Sequence, residues 1–281
     1  MRLLVAGGSG MLGRHVVRIA EEHGYEVIYP DHGPERPYPS ASAWDIENLS
    51  DARHWVTTVV PDVVINCSGF LPPQAALDPN EALTINALGP GYLANVCRVE
   101  DVRYVHISTD CVFNGERDLL RPYEPGDAPD ARDPYGATKA MGEKLVAWAG
   151  SAGGDTTIIR TSFIGPQHGL WRWYVDNDSS VVPAFTNVPW SGSTVDIIAE
   201  AIVDIATSPH EGVMHVGTAD PMRKSEVLSA LREVLPFSPK LELTPTPVIN
   251  RWLSADYVVP PLDAQRLADL EAEYQRQRRE R

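Results

Sequence analysis

Cysteine is scarce in this chain. Three occur in 281 residues, Cys67, Cys97 and Cys111, an odd and scattered set with no paired spacing. That excludes a disulfide-stapled scaffold, gives no cysteine pair at metal-ligand spacing, and points to reduced thiols in a cytosolic protein. Positive charge is also short: 24 Lys and Arg face 38 Asp and Glu, for a net charge of −14. Such an acidic balance argues against non-specific binding to nucleic acid or to an anionic membrane. No apolar run approaches the roughly 20 residues that a membrane-spanning helix needs. Met1-Arg2 leads straight into a short apolar run, without the longer apolar region and cleavage site of a secretory signal. No internal repeat is evident, and no metal site is expected.

What is there has the composition of an ordinary globular chain. Hydrophobic residues make up 43% of it, enough for a full core in one large domain or two unequal ones. Strand and helix patterns alternate along residues 1–160. Short strands are predicted at 2–6, 26–29, 62–66, 103–107 and 157–160. Helices are predicted after the first strand and at 51–60, 80–99 and 135–149, the third with a glycine and a proline inside it that would bend or interrupt it. Repeated βα units imply a parallel sheet with helices on both faces. After Arg160 the texture changes. Residues 161–192 are rich in loop residues and aromatics: Phe163, Trp171, Trp173, Tyr174, Phe185 and Trp190. A helix at 194–206, a strand at 213–216, a helix at 225–235, an extended proline-rich stretch at 236–247 and a helical tail from Asp263 follow. The expected organisation is a dinucleotide-binding region at 1–160 and a mainly substrate-binding region at 161–281, some of whose elements can return to the first.

The chemistry-bearing motifs fall at strand ends. Arg2 to Ala6 runs into Gly7-Gly8-Ser9-Gly10-Met11-Leu12-Gly13, then into a helical stretch with Val16, Val17, Ile19 and Ala20 apolar. Glycines at 7, 10 and 13 let the backbone turn tightly, approach a pyrophosphate and pack the helix close to the strand. The helix N-terminus then presents free N–H groups and a positive dipole end to the anion. A glycine-rich turn alone is a weak signal; the strand before it and the helix after it raise its value. In an open parallel sheet, ligands sit beyond the carboxyl ends of the strands. Gly7, Asp31, Asn66-Cys67-Ser68 and Ser108-Thr109 occupy four such ends. An acid at Asp31 would bond the adenosine ribose hydroxyls and repel a 2′-phosphate, although Pro30-Asp31-His32-Gly33 reads equally well as a turn.

Tyr135 and Lys139 frame the segment Tyr-Gly-Ala-Thr-Lys. Four positions apart on a helix, they share one face. A nearby ammonium favours the phenolate and is expected to lower the phenol pKa towards neutrality. A phenol tuned that way can hand a proton to a carbonyl oxygen or take one back from an alcohol. Thr109, in Ile-Ser-Thr-Asp, could hydrogen-bond the same oxygen. Plainer readings stand beside these. Asn86 is either an ordinary helical asparagine or a residue holding a kink or a water near the site. Asp110 and Asp133 read as turn caps, and the cysteines as small buried hydrophobes. The aromatics at 171–190 are either core or a platform for a base or sugar ring. The basic tail reads as a solvated end.

Taken together, these residues resemble the extended short-chain dehydrogenase/reductases, and among them the dTDP-4-dehydrorhamnose reductases. The likeness is carried by the glycine turn at 7–13, Asp45 in Trp-Asp-Ile, Val64-Ile65-Asn66-Cys67-Ser68-Gly69, and Ile85-Asn86-Ala87. It continues through Ser108-Thr109-Asp110-Cys111-Val112-Phe113, Asp133-Pro134-Tyr135-Gly136 to Lys139, and Ile159-Arg160-Thr161-Ser162. It implies a Rossmann-type α/β fold: a doubly wound parallel sheet with a smaller C-terminal substrate-binding region. It implies Thr109, Tyr135 and Lys139 as the catalytic set, with Lys139 also bonding the nicotinamide ribose. Cofactor contacts are implied for Gly7, Gly10, Met11, Leu12, Gly13, Asp31, Asp45, Cys67, Ser68, Gly69, Tyr135 and Lys139. Substrate contacts are implied for Thr109, Val112, Phe113, Asn187 and Trp190.

The cofactor implied is NAD or NADP, and the reaction is reduction of the 4-keto group of a nucleotide-activated deoxysugar in the cytoplasm. A homodimer is the assembly to test. Two departures from the pattern stand out: Cys111 occupies a position that is usually aromatic in this branch, and the stretch at 185–192 resembles a relative of the reductases rather than their central members. The rival readings are an NAD-dependent epimerase of nucleotide sugars and a non-catalytic, cofactor-binding regulatory subunit.

Overall fold

The computed structural model describes residues 1–30, 46, 49–177, 179–235 and 239–279. Asp31 and Asp45, two of the expected cofactor contacts, lie outside the described residues. Contacts divide the chain into two compact units. The first is Met1–Asn114, Ala128–Arg160 and Ala199–Met214; the second is Gly115–Asp127, Thr161–Ile198 and His215–Arg281.

The first unit opens with β1 (Arg2–Ala6), α1 (Met11–Glu22), β2 (Glu26–Ile28), α2 (Leu49–Val59) and β3 (Val63–Asn66). The short helices α3 (Pro72–Leu77) and α4 (Pro79–Leu83), then α5 (Gly89–Val99), β4 (Arg103–Thr109), α6 (Pro134–Ser151) and β5 (Thr156–Thr161) follow. The strands stand in the order β2-β1-β3-β4-β5. Leu3 of β1 is level with Val27 and with Val63, and Val63 is level with Arg103, all in parallel pairs. Strands covered on both faces need apolar residues on both, and Leu3, Leu4 and Val5 are all fully buried. One face packs Leu4, Val64 and Tyr104 against Trp55, Leu93 and Val146 of the helices. The chain turns outward from β1 to β2 and then crosses to β3 on the other side. The strand order therefore reverses beside β1, and a crevice opens at the carboxyl ends of β1 and β3. The fold is Rossmann-type, as the alternation of patterns predicts.

The helix expected over 80–99 is broken into three. α4 ends at Leu83, a π turn spans Thr84–Leu88, and α5 begins at Gly89 with Pro90 in its first turn. Proline has no N–H to continue the ladder, and a π turn is a common accommodation near a working site. Asn86 sits in the middle of that turn.

The second unit contains β6 (Phe163–Ile164), α7 (Gly169–Val175), β7 (Val181–Phe185), β8 (Pro189–Trp190) and β9 (Ser193–Thr194). α8 (Val195–Ala206) and β10 (Gly212–Gly217) carry the chain through the first unit, where β10 lies beside β5. β11 (Met222–Arg223), α9 (Lys224–Val234), β12 (Lys240–Thr244), β13 (Tyr257–Val258) and α10 (Ala264–Arg279) complete it. The stretch expected to be extended at 236–247 supplies β12, which pairs in parallel with β7. Val216 and Gly217 pair in parallel with Tyr257 and Val258. Trp171, Tyr174 and Trp190 are buried, so these rings are core, while Trp173 is 42% exposed. Among the described residues, no helix is long and apolar enough to cross a membrane.

Candidate functional site

The turn after β1 is shaped by missing side chains. Gly7 has φ +73°, a left-handed conformation, and a Cβ there would lie 2.9 Å from the Ser68 backbone nitrogen. A Cβ on Gly13 would lie 2.0 Å from the Gly7 carbonyl oxygen, so only glycine lets α1 start this close to the strand. Gly10 N–H donates to the Gly7 carbonyl at 3.0 Å and closes the turn. The Arg14 side chain donates to the carbonyls of Gly10 at 3.3 Å and Ser9 at 3.0 Å, bracing it from outside. Gly10 caps α1 without any side-chain hydrogen bond. The first N–H groups of the helix are therefore left for an anion. This is the donor set that the pyrophosphate of a dinucleotide requires.

The opposite wall is the loop after β3. Asn66 is buried, and its Oδ1 accepts from Ser68 N–H at 3.0 Å while its Nδ2 donates to Tyr104 Oη at 2.9 Å. Asn86 grips the next residues: Phe70 N–H donates to its Oδ1 at 2.8 Å, and its Nδ2 donates to the Phe70 carbonyl at 3.0 Å and to Thr138 Oγ1 at 3.2 Å. Two asparagines thus hold Cys67, Ser68 and Gly69 in place from β3 and from the π turn. Asn86 is thus more than an ordinary helical asparagine: from the π turn its side chain holds the loop after β3. Burial pushes the Cys67 thiol up to about 12, so it stays protonated.

On α6 the sequence sets the helix start to the residue. Asp133 is the N-cap, its Oδ1 accepting from Gly136 N–H at 2.9 Å, and Pro134 brings a pre-set φ to the first turn. That start puts Tyr135 in the first turn and Lys139 one turn further, on the same face. Tyr135 lies close enough to Thr109 for the threonine side chain to act on its phenol. Thr109 Oγ1 donates to Asp110 Oδ1 at 3.1 Å and accepts from Cys111 N–H at 3.1 Å, capping the single turn Asp110–Val112. Lys139 is buried, and its Nζ donates to the Ile107 carbonyl at 2.6 Å. Burial brings its pKa down to about 8 against the opposing pull of Glu143 and Cys67.

One electrostatic expectation is corrected. The phenol of Tyr135 is not drawn towards neutrality. Burial pushes it above its ordinary value, Cys111, Asp110 and Asp133 push it further, and the Thr109 side chain only partly offsets them. The reason is geometric: the ammonium expected to stabilise the phenolate is spent on the Ile107 carbonyl.

Two residues without an assigned role in the sequence reading stand behind this trio. Glu143 accepts from Ser108 Oγ at 2.5 Å and forms a buried ion pair with Arg160 at 2.8 Å. Their signals were an acid one helical turn after Lys139 and a cation inside an apolar strand. The expected substrate contacts divide. Thr109 is at the site. Val112 and Phe113 are fully buried, Val112 offering its carbonyl to Asp130 and Ala131 N–H groups and Phe113 lying under the Arg160 guanidinium. Their side chains belong to the core rather than to a surface that a substrate could touch. Asn187 and Trp190 belong to the second unit. There Asn187 Nδ2 donates to the Pro245 carbonyl at 3.0 Å, and Trp190 Nε1 donates to Ser162 Oγ at 2.7 Å.

The sequence profile of the RmlD substrate binding domain family matches residues 1–170. The spore coat polysaccharide biosynthesis protein SpsK of Bacillus subtilis is 34% identical, over 83% of this chain and 78% of that protein. A dTDP-4-dehydrorhamnose reductase of Mycolicibacterium smegmatis is 31% identical, over 72% of this chain and 55% of that longer protein. Among solved structures, dTDP-4-dehydrorhamnose reductase of Bacillus anthracis in complex with NADP superposes with a TM-score of 0.78 at 21% identity, covering 97% of this chain and 98% of that one.

Proposed function

The chain belongs to the RmlD substrate binding domain family, and on that premise we propose that it reduces the 4-keto group of a nucleotide-activated deoxysugar with NADH or NADPH. The observation that carries this reading is the grouping of the Tyr135 phenol with Thr109, at the carboxyl end of β4, and with a buried lysine one helical turn away. The naming of similar proteins as reductases of dTDP-4-keto sugars supports it.

The bound dihydronicotinamide supplies the hydride. Met11, Leu12 and Gly13 would hold the pyrophosphate through backbone N–H groups, with Gly7 and Gly10 shaping the turn that lets it approach, and Cys67, Ser68 and Gly69 would line the opposite wall. Thr109 Oγ1 orients the keto oxygen, and Tyr135 Oη delivers the proton to it. A phenol whose pKa lies above its ordinary value keeps its proton at neutral pH and is a weaker acid, so it releases that proton only to the negative charge that hydride transfer develops on the keto oxygen. The Thr109 side chain acts on the phenolate left behind, and the Lys139 ammonium, which stays mostly charged below its midpoint of about 8, is assigned to the nicotinamide ribose. Asp31 and Asp45 are assigned to the adenosine end, and Asn187 to the sugar nucleotide. The reading includes a cytoplasmic location and a homodimer, the latter tested by light scattering.

The test is loss of NADH and NADPH absorbance with dTDP-4-keto-6-deoxyglucose, for wild type and Tyr135→Phe. Turnover in the first and not in the second supports the reading and ranks the two cofactors. Bound cofactor with no net consumption, across several keto sugars, overturns it.

A further inference from the structure

Helix α6 carries a third ionisable group on the face that holds Tyr135 and Lys139. Glu143 lies one turn beyond Lys139, and its carboxylate is gripped by Arg160 of β5: Nε donates to the two oxygens at 3.0 and 3.1 Å, and Nη2 donates at 2.8 Å. The two side chains are 5% and 4% exposed. Desolvating two charges offsets most of their attraction, and an apolar pair of the same volume holds a core as well. Core stability alone is therefore a poor reason for this pair. Its contacts give a better one. Ser108, which donates to Glu143 at 2.5 Å, is peptide-bonded to Thr109. Phe113, whose ring centroid is 5.1 Å from the Arg160 guanidinium carbon, ends the turn that Thr109 caps.

Building on the reductase reading, we propose that Glu143 and Arg160 are positioning residues for the reaction centre. The pair fixes Ser108, and with it the Thr109 hydroxyl, at the end of β4. It fixes Phe113 at the far side of the turn, and it keeps a negative charge behind the Lys139 ammonium. The groups that act on Lys139 are Glu143 on its own helix and Cys67 after β3, and Lys139 in turn acts on His106 of β4. Cys67 is held as the thiol and His106 as the neutral imidazole, both by burial. Glu143 is therefore the group that supplies negative charge, and Arg160 on β5 is its counter-charge.

The sequence has four lysines, Lys139, Lys144, Lys224 and Lys240, so the titration of Lys139 can be followed by NMR of isotope-labelled lysine and assigned with Lys139→Met. In Glu143→Gln the Lys139 midpoint is expected to move down by about one pH unit. Its kcat falls about tenfold per folded molecule while KM for the cofactor stays within about twofold. Ser108→Ala keeps the ion pair: its lysine midpoint stays in place and kcat alone falls. An unmoved lysine midpoint in Glu143→Gln, or a wild-type kcat in Ser108→Ala, overturns the proposal. If Glu143→Gln does not fold, Ser108→Ala decides alone. The lysine titration needs no turnover, so an inactive wild type counts against the reductase reading and leaves the electrostatic result standing.

Discussion

The glycine turn after β1 and the first three turns of α6 build the candidate site by opposite means. The turn works through backbone and through the absence of side chains: Gly7 lies against Ser68, and a Cβ at Gly13 would collide with the Gly7 carbonyl. α6 works through side chains: a phenol, an ammonium and a carboxylate follow one another down one face. The loop at Cys67-Ser68 links the two, since Ser68 meets Gly7 on one side and Cys67 acts on Lys139 on the other. A backbone site is steric, so substitutions there strain the fold and the ligand cradle together. A side-chain site is electrostatic, so substitutions there change rate and pH dependence while the cradle survives.

Tyr135→Phe breaks the side-chain region alone. Turnover should fall about 10²–10⁴-fold with NADPH affinity, read from nicotinamide fluorescence, within about twofold of wild type. Equal losses of both would erase the distinction. Gly13→Val breaks the backbone region. Its added carbons have no room, so we expect cofactor binding weakened about tenfold or more and stability lowered by about 1–3 kcal/mol in urea unfolding. Wild-type binding in that variant would refute the cradle.

Lys139→Met sharpens the contrast through pH. The folded lysine titrates at about 8 rather than 10.5. Between these values the unfolded chain holds a proton that the fold has released, so wild-type stability should rise with pH across the window. The slope from this one group is at most about 1.4 kcal/mol per pH unit. Below the folded midpoint its cost is present in full. Unfolding free energies of wild type and Lys139→Met, compared across this range, should converge as pH rises, and a constant difference would contradict the burial argument. Asp133→Ala should have the smallest effect: about 1 kcal/mol from the lost N-cap, with a modest fall in kcat as Tyr135 loosens.

Much of the first unit is legible in the amino-acid order. Apolar runs locate β1, β3 and β4, and the glycine spacing locates the anion-binding turn. Asp133-Pro134 sets where α6 starts, and the four-residue spacing then puts Tyr135 and Lys139 on one face. The second unit is harder to read. Its strands at 163–164, 189–190 and 193–194 are two residues long, too short for a period to register. Trp171 and Trp190 carry the same side chains whether they serve as core or as ligand platform. The break at Thr84–Leu88 was signalled by Gly89-Pro90, but its π geometry and the clamp from Asn86 to Phe70 were not.

The sequence by itself determined the elements whose cause is local: strands from apolar runs, turns from glycine, a helix start from cap and proline, and a shared face from helical periodicity. Only the tertiary structure decided which partner each polar group takes. It gave the Lys139 ammonium to the Ile107 carbonyl, raised the Tyr135 phenol, paired Glu143 with Arg160 and Asn66 with Ser68 and Tyr104, and placed Val112 and Phe113 in the core. Protonation and ion pairing depend on burial and on charges brought together from distant segments, and neither is encoded within the window over which a local pattern can be read.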